Sequence, residues 1–150
     1  MTLNTNQEKN IHLDPALSKL VNYIMRDGKK SLALRLMKEV IETIGTTDPI
    51  ARINQAIESL EPEVEVRSKR VGGSTYMVPT PVNAKRKRML SIRWILQGAR
   101  ARNERGFSQK LAAELQDILN ASTCFSIKKR DELLKQAESN RSFAHFLRRR

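Results

Sequence analysis

Four groups of cations are spaced to meet phosphate. Arg67, Lys69 and Arg70 precede the pair Gly72-Gly73, and Lys85-Arg86-Lys87-Arg88 opens a long segment of helical apolar period. Arg86, Arg93 and Arg100 recur every seven residues, and Lys128-Lys129-Arg130 is followed by Arg141 and Arg148-Arg149-Arg150. Seven residues are almost two helical turns, so each arginine of the series lies within about 20° of the one before and the three form a stripe. A guanidinium is a planar fork that donates two hydrogen bonds at once to a phosphate; the bland alternative is arginines snorkelling over a surface helix. Four cations at a helix N-terminus oppose the helix dipole, at roughly 0.3 to 1 kcal/mol each. The quartet therefore calls for a compensating anion, which the free N–H groups of that turn also favour. Tyr76, just past the glycines, suits stacking on a base and packing across a hairpin equally well.

Other chemistries find no support. His12 and His145 are 133 positions apart and Cys124 is the single cysteine, whereas zinc sites need four ligands at close spacing. Ser74 follows Gly72-Gly73, but at a hairpin rather than at the start of a helix, so the pair is no phosphate-cradling loop. Glu61, Glu63 and Glu65 are spaced like a carboxylate cluster; they abut the basic hairpin and read as a charged strand face. No nucleophile–base pair stands out. No enzyme, cofactor, metal or small-molecule substrate is expected.

The elements that must position these cations follow from the apolar pattern. Asp14-Pro15 suits an N-cap with proline at the first helical position, and Leu17, Leu20, Val21 and Ile24 follow helical spacing up to Asp27-Gly28. A second helix carries Leu32, Leu36, Met37, Val40 and Ile44 on one side and stops at Gly45. Asp48-Pro49 opens a third, with Ile50, Ile53, Ile57 and Leu60 inward and Pro62 beyond. The period then changes to two: Val64 to Arg67 alternates, Gly72-Gly73 supplies the positive φ angles of a two-residue turn, and Thr75 to Val78 returns. Pro79 and Pro81 cannot donate to a ladder, so the second strand ends near them or lies at an edge. Helices resume at about Asn83, with Met89, Ile92, Leu96 and Ala99 inward as far as Gly106. Ser108 is placed to cap a fifth helix, and a sixth starts near Ser126 with Leu133, Leu134 and Ala137. The expected fold is mainly α: six helices, with one protruding β-hairpin between the third and fourth.

The chain has 150 residues, 28 Lys+Arg and 16 Asp+Glu, for a net charge of +12. That excess points to a polyanion, and 39% hydrophobic residues point to a packed core rather than a disordered basic tail. Residues 1–66 hold eight basic and ten acidic side chains, so the excess lies in three blocks beyond them. No stretch approaches the ~18 to 20 apolar residues that span a membrane. Met1 to Asp14 holds one lysine and no apolar run, which matches neither a signal peptide nor a transit peptide. A hairpin with little apolar content near its tip, marginal in water by itself, needs either a core to lie on or a polyanion to lie against; its three cations favour the polyanion. Basic groups scattered over a hairpin, two helices and a tail suit irregular RNA better than one groove of DNA. Two alternatives stay open: a DNA-architectural protein with a basic β-arm, and a basic helical adaptor for an acidic protein or membrane.

Four segments carry a specific resemblance. Glu65 to Pro79 (EVRSKRVGGSTYMVP), Asp27 to Ser31 (DGKKS), Leu90 to Trp94 (LSIRW) and Ala137 to Phe146 (AESNRSFAHF) closely resemble, in order and spacing, the ribosomal protein S-seven family of the small-subunit head. The resemblance covers roughly residues 14–146. It implies a six-helix bundle with a β-ribbon that binds the 3′ major domain of small-subunit rRNA and nucleates head assembly. It places the ribbon (Arg70, Val71, Gly72, Gly73, Ser74, Tyr76) at the exit site near tRNA and mRNA, with proteins S-nine and S-eleven as neighbours. Carried over by position, the rRNA contacts are Lys29, Lys30, Arg67, Lys69, Arg70, Arg86, Arg88, Arg93, Lys128, Lys129, Asn140 and Arg141; Arg100 joins them from the stripe. The implied division is an extension at residues 1–13, one domain at 14–146 with its hairpin at about 63–82, and a basic tail at 147–150. Two departures stand out: Met1 to Asp14 is nearly neutral where many bacterial members have a basic arm, and three arginines stand where many end on an aromatic pair. The segment Asn140 to Phe146 is more similar to mitochondrially encoded members. Without an import signal, the expectation is an organelle-encoded protein of the mitochondrial matrix, with plastid stroma and bacterial cytosol as alternatives.

Overall fold

The computed structural model describes residues 14–45 and 47–147; the expected N-terminal extension and Arg148-Arg149-Arg150 lie outside them. Six α-helices and one hairpin make up the described chain: α1 Pro15–Ile24, α2 Lys30–Ile44, α3 Pro49–Ser59, β1 Val64–Val71, β2 Ser74–Pro81, α4 Ala84–Ala101, α5 Phe107–Leu119 and α6 Phe125–Ser139. A 3-10 turn, Arg141–Leu147, follows. The expected mainly α architecture, with the hairpin between the third and fourth helices, is what folds.

Local chemistry sets the helix ends. Asp14 Oδ1 accepts from Ala16 N (2.8 Å) and Leu17 N (3.2 Å), two donors that the first turn leaves orphaned. Its Oδ2 accepts from Asn54 Nδ2 at 2.6 Å, which ties α1 to α3. Asp48 and Asn83 cap α3 and α4 through Ala51 N and Arg86 N. Gly45 ends α2 at φ 58°, a left-handed conformation that costs a glycine little.

Burial of the Asp14 carboxyl by itself would raise its pKa. The hydrogen bonds from Asn54, Leu17 and Ala16, aided by the charge of Arg88, outweigh that and hold it below the usual carboxylate value. A depressed folded-state pKa gives stability that is present above the unfolded value and lost as pH falls through the folded one. Asp14→Ala should therefore cost about 1 kcal/mol near neutral pH. In urea melts from pH 7 to pH 3, the gap between variant and native protein should hold down to the unfolded value of about 3.9 and shrink as pH falls below it. A gap that is constant with pH would deny the carboxylate this role.

The main core joins Leu17, Leu20, Met37, Ile53, Ile57, Ile92, Ile95, Leu111 and Leu115, each almost fully buried, from all of α1 to α5. A smaller cluster of Val82, Leu90 and Trp94, with Leu133 against it, lies where the chain passes from β2 to α4. Leu60 and Leu96 are buried as expected, but Leu32 and Leu134 are exposed, and Leu36 and Met89 are only part-buried. The apolar stripes are thus narrower than periodicity implies. Two boundaries also differ from expectation. Gly106, not Ser108, is the N-cap of α5, because the Ser108 hydroxyl is buried and donates to Glu39 Oε2 on α2. Helix α4 stops at Ala101 rather than near Gly106, because Arg102 turns to extended backbone and its guanidinium reaches Glu104, Glu114 and Asp117.

The hairpin closes on Gly72 (φ 58°) and Gly73 (φ 87°), the expected two-residue turn. Pairing runs from Val71↔Ser74 back to Val64↔Pro81. The rung beside the turn exchanges hydrogen bonds and the rungs then alternate, so Val66↔Pro79 and Val64↔Pro81 fall where no ladder bond is made. Both prolines are accommodated, and β2 runs through them to Pro81.

Candidate nucleic-acid interface

The hairpin does not stand free. Strand β1 packs against α6, and β2 against the 3-10 turn. Val78 is buried at 2% exposure, and Tyr76 lies among Phe143 and Phe146, at centroid distances of 5.3 and 4.9 Å. Tyr76 therefore packs on protein, which settles in this structure the choice that sequence left even. Of the two supports expected for the hairpin, the less favoured one is present: its flanks have a protein bed, while residues 72–75 of the tip are exposed.

Several candidate cations already have protein partners. Glu65, expected on a charged strand face, is buried; it pairs with Arg67 and, at 3.1 Å, with Arg86. Glu61 pairs with Arg88 at 3.4 Å. Part of the anion that the α4 quartet requires is thus supplied by carboxylates of the chain, brought beside the helix by the hairpin. Lys69 donates to Phe146 O at 2.7 Å. Lys129 pairs with Glu132 at 2.7 Å, and Arg141 approaches Glu138 at 3.7 Å. Asn140 Nδ2 donates back to Gln136 O at the end of α6. The five cations of these ion pairs reach solvent to different degrees, from Arg141 at 82% down to Arg88 at 38%.

Six candidates are exposed and make no side-chain hydrogen bond or ion pair among the described residues: Lys29, Lys30, Arg70, Arg93, Arg100 and Lys128. The arginine stripe is split by this, since Arg86 is held by Glu65 while Arg93 and Arg100 face solvent.

Tertiary structure also joins residues that are far apart in sequence. A groove of about 560 Å³ lies between the α1–α2 loop, α2 and the start of α5. Leu32, Leu36 and Phe107 line it, and Arg26, Lys29, Arg100 and Lys110 bring four cations to it. Lys29 and Arg100 thereby belong to one surface. Arg26 and Lys110 were missed from sequence. Arg26 shares a loop with Lys29, which is a usable signal, but Lys110 sits in a near-neutral block that gives none. Lys110 also donates to Arg102 O.

One buried polar junction positions α4, α5 and α6. Glu114, 1% exposed, accepts through Oε2 from Arg102 Nε (2.7 Å) and through Oε1 from Ser126 N (3.1 Å) and Ser126 Oγ (2.5 Å). Burial opposes the charge on Arg102, but Asp117, Glu114 and Glu104 outweigh it and raise the guanidinium pKa further. Arg102 therefore belongs to the frame, although it sits in the most basic block of the chain.

The family model described as ribosomal protein S7p/S5e matches residues 2–141. The chain belongs to the S7 family of small-subunit ribosomal proteins. Its relatives include the small ribosomal subunit protein uS7 of Maricaulis maris, 46% identical over 136 residues (89% of this chain, 86% of that one). The uS7 proteins of Metamycoplasma arthritidis and Salinibacter ruber are 47% identical (87% of this chain, 85% of that one) and 44% identical (95% and 92%). An S7 protein of this family is a structural component of its subunit rather than an enzyme. These three relatives are bacterial, and their similarity does not single out an organelle-encoded type.

Proposed function

We propose that this S7-family protein binds the 3′ major domain of small-subunit rRNA and nucleates assembly of the head, with its hairpin tip at the exit site beside tRNA and mRNA. The observation that carries the reading is the set of exposed cations without partners among the described residues, spread over the α1–α2 loop, the hairpin tip, α4 and α6. Such a spread fits phosphates that converge from several RNA helices. The groove with Lys29 and Arg100 suits a phosphate at its edge and an unpaired base on its apolar lining. Arg67, Lys69, Arg86, Arg88, Lys129, Asn140 and Arg141 stay in the proposed surface as groups oriented by protein partners. Val71, Gly72, Gly73 and Ser74 form the tip, while Tyr76 supports it from below. Proteins S-nine and S-eleven are the proposed neighbours. Residues 1–13 and 147–150 are proposed as extensions of a single domain. The segment Asn140 to Phe146 favours a mitochondrial ribosome, whereas relatives at 44 to 47% identity favour a bacterial one.

Arg93 and Arg100 test the reading. Both are exposed on a helix whose opposite side is core. A charge-assisted hydrogen bond is worth about 1.5 to 3 kcal/mol, so Arg93→Ala with Arg100→Ala should weaken binding to an rRNA fragment by about 10²-fold or more. Far-ultraviolet circular dichroism should be unchanged. Native affinity in the double variant would remove α4 from the RNA surface.

A further inference from the structure

We infer that the C-terminal 3-10 turn, Arg141–Leu147, is a strap that sets the position of the hairpin's distal half, with Phe143 and Phe146 as positioning residues. Its consequence for tRNA rests on the exit-site reading above; the strap itself does not.

Both members of one rung hold the strap. Lys69 and Tyr76 are paired across the hairpin, so their side chains leave the same face. Tyr76 packs on the two phenyl rings, and Lys69 donates to the Phe146 carbonyl at 2.7 Å. The phenyl rings lie 6.2 Å apart and nearly parallel, at 16°. They form one apolar platform rather than two separate contacts.

Neither partner is self-sufficient. A two-stranded hairpin is marginal alone, and 3-10 runs beyond three or four residues are uncommon. This run has seven residues. The order of each therefore depends on the other. Towards the tip, Val78 is the last buried residue of the hairpin. Without the strap, the five residues from Val78 to Gly73 would form a lever of about 17 Å at ~3.4 Å per residue. The strap grips at Tyr76 and shortens that lever to about 10 Å. Bending or fraying of the ribbon would otherwise move Arg70 and the turn away from whatever they touch.

Amide hydrogen exchange on the full chain tests the strap. Phe143→Ala with Phe146→Ala should speed exchange of residues 68–77 by about tenfold, since it removes two aromatic pairs worth a few-fold each. Protection in α1 to α5 should be unchanged. Tyr76→Ala attacks the same contact from the other side and should give the same pattern, which keeps the test valid if the double variant folds poorly. Phe143→Leu with Phe146→Leu keeps apolar bulk and should restore part of the protection. Unchanged exchange at residues 68–77 overturns the strap. Equal acceleration throughout the bundle also overturns it, because the rings would then be ordinary core. In reconstituted small subunits the double variant should speed tRNA release from the exit site several-fold, with binding of the free protein to rRNA retained. Faster hairpin exchange without faster tRNA release would leave the strap standing and sink the exit-site reading.

Discussion

Gly98→Ala should destabilise the protein by about 2 to 4 kcal/mol, the largest loss expected from adding a single methyl group. Alanine is the better helix former by about 1 kcal/mol, so local propensity predicts the opposite sign. Packing decides. A Cβ at residue 98 would overlap Glu114 Oε1 and lie 2.7 Å from Glu114 Cδ and 3.0 Å from Ser126 Oγ. A flexible carboxylate would ordinarily move aside. This one is 1% exposed and held at both oxygens, by Arg102 on one side and by the Ser126 amide and hydroxyl on the other. Displacing it strains the site by about 1 to 3 kcal/mol and leaves buried donors without their acceptor, at about 1 to 3 kcal/mol more. At ~2 to 4 °C per kcal/mol for a chain of this size, Tm should fall by about 5 to 15 °C. Thermal and urea denaturation would measure it; a neutral or stabilising Gly98→Ala would show that Glu114 can repack.

Binding to the rRNA domain should fall about 10³-fold between 50 and 200 mM monovalent salt. The release of counterions from Z phosphates gives a log–log slope near −0.9Z for duplexes, and six unpartnered cations set Z at about six. If the pairs of Arg67, Arg86 and Arg88 with Glu65 and Glu61 open to meet phosphate, Z rises to about nine and the fall approaches 10⁵-fold. The slope therefore reports whether those carboxylates let go on binding. Glu65→Gln should leave the slope unchanged if Arg67 and Arg86 stay off the RNA. Titrations at several salt concentrations, with duplex DNA as competitor, give both answers. Equal affinity for DNA and for the rRNA domain would sink the ribosomal reading and favour the DNA-architectural one.

The site was only partly legible. Charge and period are local properties, and they mark the Arg67–Arg70 cluster and the α4 stripe; the Lys29-Lys30 loop lies among the near-neutral first 66 residues and is marked only by the family resemblance. It cannot tell a cation bound for phosphate from one bound for a carboxylate. Arg86 and Arg93 have the same chemistry and lie on the same stripe, yet one faces Glu65 and the other faces solvent. That difference arises because the hairpin folds back beside α4 and carries a buried glutamate 21 residues away in sequence to meet it. Arg102 shows the same limit: it sits in the most basic block of the chain but holds Glu114 within the frame.

Sequence by itself determined the six helices, the aspartate caps of the first and third, and the two-residue turn. Each rests on contacts within a few residues, such as Asp14 on the first amides of α1 and Gly72-Gly73 at positive φ. It also determined the S7 family, through motifs long enough to be specific. Tertiary structure alone decided which cations remain available, what Tyr76 touches, and that Lys29 and Arg100 share a groove. Arg67, Lys129 and Arg141 have partners two or three positions away, but the pairing of Arg86 with Glu65, the packing of Tyr76 and the groove join residues far apart in sequence, which no local pattern encodes. The phosphate-spaced arginines were visible from the start; the carboxylates that claim some of them became visible only once the chain had folded.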